Sequence, residues 1–234
     1  MKNQLKIALM SLGAAIAIFL SACNDENAVL AANGGLTGTG ITMGRITNFG
    51  SIFVNGIRFD VDNATFMRDE TSSKKQADFS VGEFVVIKGV VAEDGINGVA
   101  MEVSYSDILE GEVTNTSTDG VSLEILGQLV HTDALTVLHG IDLLSDLNVG
   151  NMVEVSGILG AKGHIIATNL KLLQVHFIEG VSTNILKGTI TNHDSTTQKF
   201  EMQGVVVDYG NALLEGYEGH EIHDDQYVEV KSKT

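Results

Sequence analysis

The 234-residue chain has no proline and no tryptophan, one cysteine, and 14 lysines and arginines against 30 aspartates and glutamates. Each shortage narrows the reading. Without proline, every turn must be made by glycine, asparagine and aspartate. A lone cysteine makes no internal disulfide, which leaves modification or a free thiol. A formal charge of −16 repels phosphate backbones and argues against a nucleic-acid partner. Charged residues make up only 19%, too few for a disordered chain.

What is present points one way. Hydrophobic residues reach 44% and glycines number 26, with β-branched runs between the glycines. That composition predicts an all-β protein of short strands and tight turns.

Residues 1–22 have a basic start (Lys2, Lys6), an apolar run from Ile7 to Leu20 and small residues before Cys23. This is the layout of a secretory signal, too short for a stable membrane span. Leu20-Ser21-Ala22-Cys23 is similar to a bacterial lipobox. The resemblance implies cleavage before Cys23 and lipid attachment to its sulfur, and several acyl chains anchor a protein stably. Removing residues 1–22 leaves 12 basic against 30 acidic residues, a charge of −18. Asn24 follows the cysteine, with Asp25 one place later, and by the same resemblance this favours the outer membrane over the inner. Residues 23–40 are expected to form a flexible tether, about 20–25 Å long on average. Its GGLTGTG run has no preceding strand, following helix or lysine, so it is no phosphate loop.

Self-similarity is the most informative feature beyond the tether. Gly44-Arg45-Ile46-Thr47-Asn48 recurs as Gly111-Glu112-Val113-Thr114-Asn115 and as Gly188-Thr189-Ile190-Thr191-Asn192. A second block, Val81 to Gly89, recurs as Val149 to Gly157 and, degraded, as Tyr227 to Lys231. The boundaries expected are 41–107, 108–174 and 175–234 for three copies. Asn55-Gly56 suits a two-residue type I′ hairpin turn, which puts Ile52, Val54, Ile57 and Phe59 on one face. Turns at Leu126-Gly127 and Gln203-Gly204 give the same inner pattern, with Gln128 the one departure. Leu126 is a poor residue for a type I′ turn, which leaves the type of the middle turn open.

Strands in the first copy are expected at about 41–48, 51–54, 57–61, 83–91 and 97–105. A variable segment with one or two helical turns, His139 to Asn148 in the second copy, precedes the fourth strand. Five strands with such a turn predict tandem OB-like barrels, joined by extended linkers such as Leu170 to Glu179. The third copy ends at its fourth strand, which leaves an open edge. Either the Val175–Ile185 segment or a strand from another molecule is expected to fill it, the latter making the chain an oligomer.

The combination TGTGITMGRITNFGSIFVNGIRFD and VGEFVVIKGVV resembles a bacterial family of exported, often lipid-anchored proteins. Its members carry tandem copies of a small β-barrel domain of unknown function. The first copy matches closely over about residues 37–107, and the second matches in its latter half. The family implies an envelope location and a non-catalytic role, and it transfers no ligand or catalytic residue.

The residues add no catalytic constellation, so no enzyme activity and no cofactor are expected. Two weak sites stand out. Phe53 and Arg58 form the outward pair of the first hairpin, either a contact patch for a sugar ring or partner protein or a cross-strand cation–π pair. The stretch EGYEGHEIHDD gathers His220, His223 and Asp224, residue types that share divalent metals, without the i, i+4 histidine spacing of a metalloprotease helix. Asp60 and Asp208 occupy corresponding strand exits and read as turn residues. The function expected is therefore a lipid-anchored envelope module that binds or scaffolds a polysaccharide or protein. A divalent-metal-binding lipoprotein is the alternative.

Overall fold

Alternation along the strands dictates the first barrel. Ile52, Val54, Ile57 and Phe59 are all buried, while Arg58 between them is exposed. The register pairs Ile52 with Phe59, Phe53 with Arg58 and Val54 with Ile57. A computed structural model describes residues 5–10, 40–69, 71–160, 163–217 and 221–233. It is all-β apart from two single-turn 3₁₀ segments, Gln76–Asp78 and Leu144–Asp146. Among the described residues no helix is long and apolar enough to cross a membrane.

The first barrel uses strands Ile41–Asn48, Ile52–Val54, Ile57–Asp60, Phe84–Val91 and Asn97–Tyr105. Pairing of Arg58 with Asn97 closes the ring. Two short strands that the sequence did not predict, Thr65–Arg68 and Thr71–Lys74, form a ribbon on the fifth strand. The second barrel repeats the plan with Leu109–Thr116, Ser122–Ile125, Gln128–His131, Met152–Leu159 and Ile165–Gln174. It closes where Val130 pairs with Ile165. Leu170 is fully buried opposite Val155, so residues 170–174 belong to a strand rather than a linker. The connection to the third copy begins only at Val175.

All three hairpins turn the same way. Both turn residues have positive φ at Asn55-Gly56 (54° and 79°), Leu126-Gly127 (50° and 75°) and Gln203-Gly204 (52° and 82°). This explains the repeated Gly of the first block. A Cβ on Gly44 would lie 2.3 Å from Asn55 Oδ1, on Gly111 2.5 Å from Leu126 Cγ, and on Gly188 2.8 Å from Gln203 Nε2. The glycine leaves room for the first turn residue to fold back onto the first strand. Asn55 Nδ2 donates to the Met43 carbonyl at 2.7 Å, and Gln203 Nε2 to the Lys187 carbonyl at 2.9 Å. Leu126 packs there instead, which offsets its unfavourable backbone conformation.

The third copy departs from the plan. Its strands Asn184–Thr189 and Tyr227–Ser232 pair with each other. The hairpin Lys199–Met202 and Val205–Asp208 joins Thr191–Asp194 in a separate three-stranded sheet. The fifth-strand position is filled by neither expected segment. Lys6–Leu9 occupies it, antiparallel to Tyr227–Ser232 and parallel to Leu213–Glu215. Ile185 is committed elsewhere, pairing with Glu110 of the second barrel and Lys231 of its own. The second and third copies thus share one sheet and one apolar core, whereas the first keeps a core of its own.

Candidate functional site

The outward positions of the first and fourth strands carry the main chemical difference between the copies. The residue before the repeated glycine is Met43, then Glu110, then Lys187. Its neighbours across the sheet are Val86, Glu154 and Glu229. The pair is apolar in the first barrel, doubly acidic in the second and oppositely charged in the third. In the second and third copies these positions face the junction between the copies.

Two cations anchor that junction. Arg68, on the short strand Thr65–Arg68 of the first barrel, donates to Glu83 at 2.8 Å and to Glu154 of the second barrel at 2.7 Å. Its guanidinium lies 4.1 Å from the centre of the Tyr105 ring, and the Tyr105 hydroxyl donates to the same Glu154 at 2.8 Å. Lys187, on the first strand of the third copy, is 2% exposed. Its ammonium donates to Asp107, to Ser106 at 2.6 Å and to Asp69 at 3.4 Å, and pairs with Glu229 at 3.2 Å. Asp107 lies in the short connection between the first two barrels, so this one lysine ties the third copy to both.

Acidic groups outnumber basic ones here. Asp69, Glu83, Asp107, Glu110, Glu154 and Glu229 surround Arg68 and Lys187. Burial disfavours charge on Lys187, yet Asp107, Asp69 and Glu229 more than offset it and hold its pKa above the ordinary value. Burial pushes Asp107 up to about 7 against the pull of Lys187, with Asp69 adding to the rise. One oxygen of Asp107, Oδ2, is buried without a hydrogen-bond partner. Glu110 is also pushed up to about 7, by burial and by the charges of Asp107, Glu154 and Asp69. Glu83 is raised by burial despite Arg68. Such clustering of perturbed groups marks either a catalytic site or an ion-pair network. Here each cation is saturated by carboxylates from different copies, so the geometry performs joining.

Further polar contacts complete the first junction. The Phe84 amide donates to Ser156 Oγ at 2.7 Å, and Asn169 Nδ2 to the Val81 carbonyl at 3.0 Å. Arg45 reaches the Leu135 carbonyl at 2.8 Å. Gln128, the polar departure from the inner-face pattern, is buried and donates to the Gln203 carbonyl at 3.0 Å. It is a joint between the second and third copies.

The residues singled out by sequence lie apart from this cluster. Phe53 and Arg58 are directly opposed on the first hairpin, half-buried and exposed respectively. The cation–π contact at the junction belongs to Arg68 and Tyr105. His223 Nδ1 meets the Asp224 carbonyl at 2.6 Å, and Asp224 Oδ1 accepts the His193 amide at 2.9 Å. Cys23 and His220 lie outside the described residues. Among the described residues, no group of three or more His, Cys, Asp or Glu side chains gathers at metal-binding distance. The sequence did hold a signal for the missed cluster. Glu154 and Lys187 interrupt apolar central strands at positions where the first copy has Val86 and Met43.

Five-stranded barrels used in tandem and locked by buried ion pairs define a repeat-built, all-β protein. A family model described as a domain of unknown function, DUF5666, matches residues 43–104 and again 110–171. The chain belongs to that family. The two matched stretches lie within the first and second barrels, and the third copy lies outside them. No curated protein and no solved structure matches the chain.

Proposed function

We propose that the chain is a lipid-anchored module of the bacterial cell envelope, outer membrane rather than inner, that holds a partner without chemistry of its own. Its partner is an envelope protein or polysaccharide. The observation that carries this reading is the junction cluster. Arg68 and Lys187 each bind carboxylates of more than one copy, so the charged groups are used to fix three barrels into one block. A fixed block with differing outer surfaces suits a scaffold.

The address rests on the basic start, the apolar run and the Leu20-Ser21-Ala22-Cys23 tetrad. A surface feature fits it. Val90, Ile96, Val99 and Met101 are each more than half exposed on the hairpin formed by the fourth and fifth strands of the first barrel. Gly40, where the chain enters that barrel from the tether, accepts the Gly89 amide at 2.9 Å. Contiguous exposed apolar groups mark contact surfaces, and these sit beside the tether's point of entry, where an anchored chain would meet the lipid surface.

The test is fractionation of tagged full-length chain and Cys23→Ser in a bacterial envelope. The wild type is expected in the outer-membrane fraction and Cys23→Ser in the soluble envelope fraction. Cys23→Ser that stays with the membrane overturns the anchor.

A further inference from the structure

The third copy gets its fifth strand from the wrong end of the chain. In the first barrel, Val103 on the fifth strand lies opposite Ile87 and beside Phe66. In the second, Leu170 lies opposite Val155 and beside Leu138. In the third, Ile7 lies opposite Val230 and beside Leu214. All three central residues are 0% exposed. Direction and register agree as well. Each is antiparallel to the fourth strand and parallel to the short strand that follows the hairpin. Residues 6–9 therefore complete a barrel position that the fold requires, and they come from the segment that reads as the secretory signal.

We propose that this position is a strand-acceptor slot, occupied by residues 5–10 in the unprocessed chain and, once cleavage before Cys23 removes them, open to an extended, alternately apolar segment of another polypeptide. The inference rests on the export reading for the vacancy, and on geometry alone for the slot. An empty slot leaves unpaired backbone groups on Tyr227–Ser232 and Leu213–Glu215 and uncovers the core around Val228 and Val230. Both are relieved by strand addition.

The slot also states what it accepts. Ile7 must be apolar because it is sealed in the core, with Leu5 and Leu9 packed at its margin. Lys6 points outward, directly across from Lys231 and beside Leu213, and pairs with the single acidic partner Glu215 at 3.3 Å, so a basic residue is accepted at that place. The strand must be short. In the complete barrels the fifth strand passes close over a glycine of the fourth, where a Cβ would lie 2.3 Å (Gly89) or 2.1 Å (Gly157) from a carbonyl oxygen. Ser232 stands at that place in the third copy, and its Cβ bars the same close crossing. Among the described residues the hairpin strand Val205–Asp208 pairs only with Lys199–Met202. The slot is thus built for about four or five residues of an incoming chain, a size set by the pairing at 3.2–3.4 Å per residue.

The test uses full-length protein and a labelled synthetic peptide of residues 4–10. In Ile7→Asp, a carboxylate at a sealed core position expels the chain's own strand. Ile7→Asp should bind the peptide at least tenfold more tightly than wild type, whose slot is filled, and should not bind a peptide carrying the same substitution. A folded Ile7→Asp that ignores the peptide overturns the proposal, as does equal binding by wild type. Should Ile7→Asp not fold, a protease site replacing residues 28–33 is cut after folding of the otherwise native chain. Excess labelled peptide should then exchange for the severed N-terminal fragment. Failure to exchange overturns the slot. Light scattering must give one chain with one peptide; a dimer that excludes the peptide assigns the position to a second copy and overturns a separate partner. The mass of chain recovered from membranes separates the two readings: retention of residues 1–22 removes the export premise and leaves the peptide result standing.

Discussion

The first and third copies share a plan and differ in how it is completed. The first closes its own ring, with 97–105 paired to both the fourth strand and the hairpin, around a separate core. The third shares a sheet and core with the second copy, borrows residues 6–9, and leaves its hairpin in a separate sheet. The difference shows that closure, not strand count, gives a small barrel its independence. A five-stranded unit of this size is marginal alone. One copy solves that by self-closure and the other by attachment.

Attachment depends on Lys187, so its removal is expected to have the largest effect. Lys187→Ala leaves Asp107 buried without its cation, and losing one partner of a buried pair costs about 3–5 kcal/mol. Urea unfolding should show that loss mainly in the second and third copies, with the first barrel unfolding separately. Lys199→Ala breaks the exposed pair with Asp208 in the same copy and should cost less than about 0.5 kcal/mol. Equal effects would mean that the cluster is not what holds the third copy.

Next in size are the crossing glycines. Gly89→Ala places a Cβ 2.3 Å from the Val99 carbonyl and should destabilise the first barrel by about 1–3 kcal/mol, the range for overpacking. Ser232→Gly at the equivalent place in the third copy should be within about 0.5 kcal/mol of wild type, because among the described residues the borrowed strand's pairing with Tyr227–Ser232 ends at Lys231. A large effect of Ser232→Gly would break the contrast between a full and a shortened fifth strand.

A pH dependence of intermediate size follows from the junction. Asp107 and Glu110 are raised to about 7 in the folded state, above their values in an unfolded chain. A raised acid favours the folded state while it is protonated, so this contribution is complete below about pH 4 and is lost as pH rises through about 7. The melting temperature is expected to fall between pH 5 and pH 8, and Asp107→Asn should flatten the fall. Exposed Asp119, lowered to about 2, acts in the opposite sense but only below pH 4. A melting temperature that rises from pH 5 to pH 8 would contradict the assignment.

The hairpins were legible in sequence because a period-2 pattern fixes which side chains face inward. The recurring blocks from Gly44 and Val81 identified the repeat, and alternation about the turn placed Ile52, Val54, Ile57 and Phe59 and their counterparts on its inner face. The junction was not legible in the same way. Glu154 and Lys187 are outward residues, and their meaning depends on which outer faces of different copies touch. The borrowed strand was hidden for another reason. Lys6 to Leu9 spans the end of the basic start and the beginning of the apolar run from Ile7 to Leu20, a layout that reads as an export signal more readily than as strand alternation. One stretch can carry both properties, and sequence patterning reports only the stronger.

The smallest effect on stability is expected at the outward pair of the first hairpin. Phe53 and Arg58 lie outward on the first hairpin, where the second copy has Glu124 and Leu129 and the third Glu201 and Val206. An exposed cross-strand pair contributes about 0.2–1 kcal/mol, so Phe53→Ala with Arg58→Ala should leave the first barrel folded and nearly as stable. That mildness makes the double variant useful. The outward pair differs between the copies while the inner face is shared, so a surface peculiar to the first barrel must lie outward. If the wild type retains an envelope glycan or protein in a pull-down, the double variant should lose it, while Glu201→Ala with Val206→Ala should not. Loss in both would place recognition on the shared fold, and loss in neither would move it to the third copy and its strand slot.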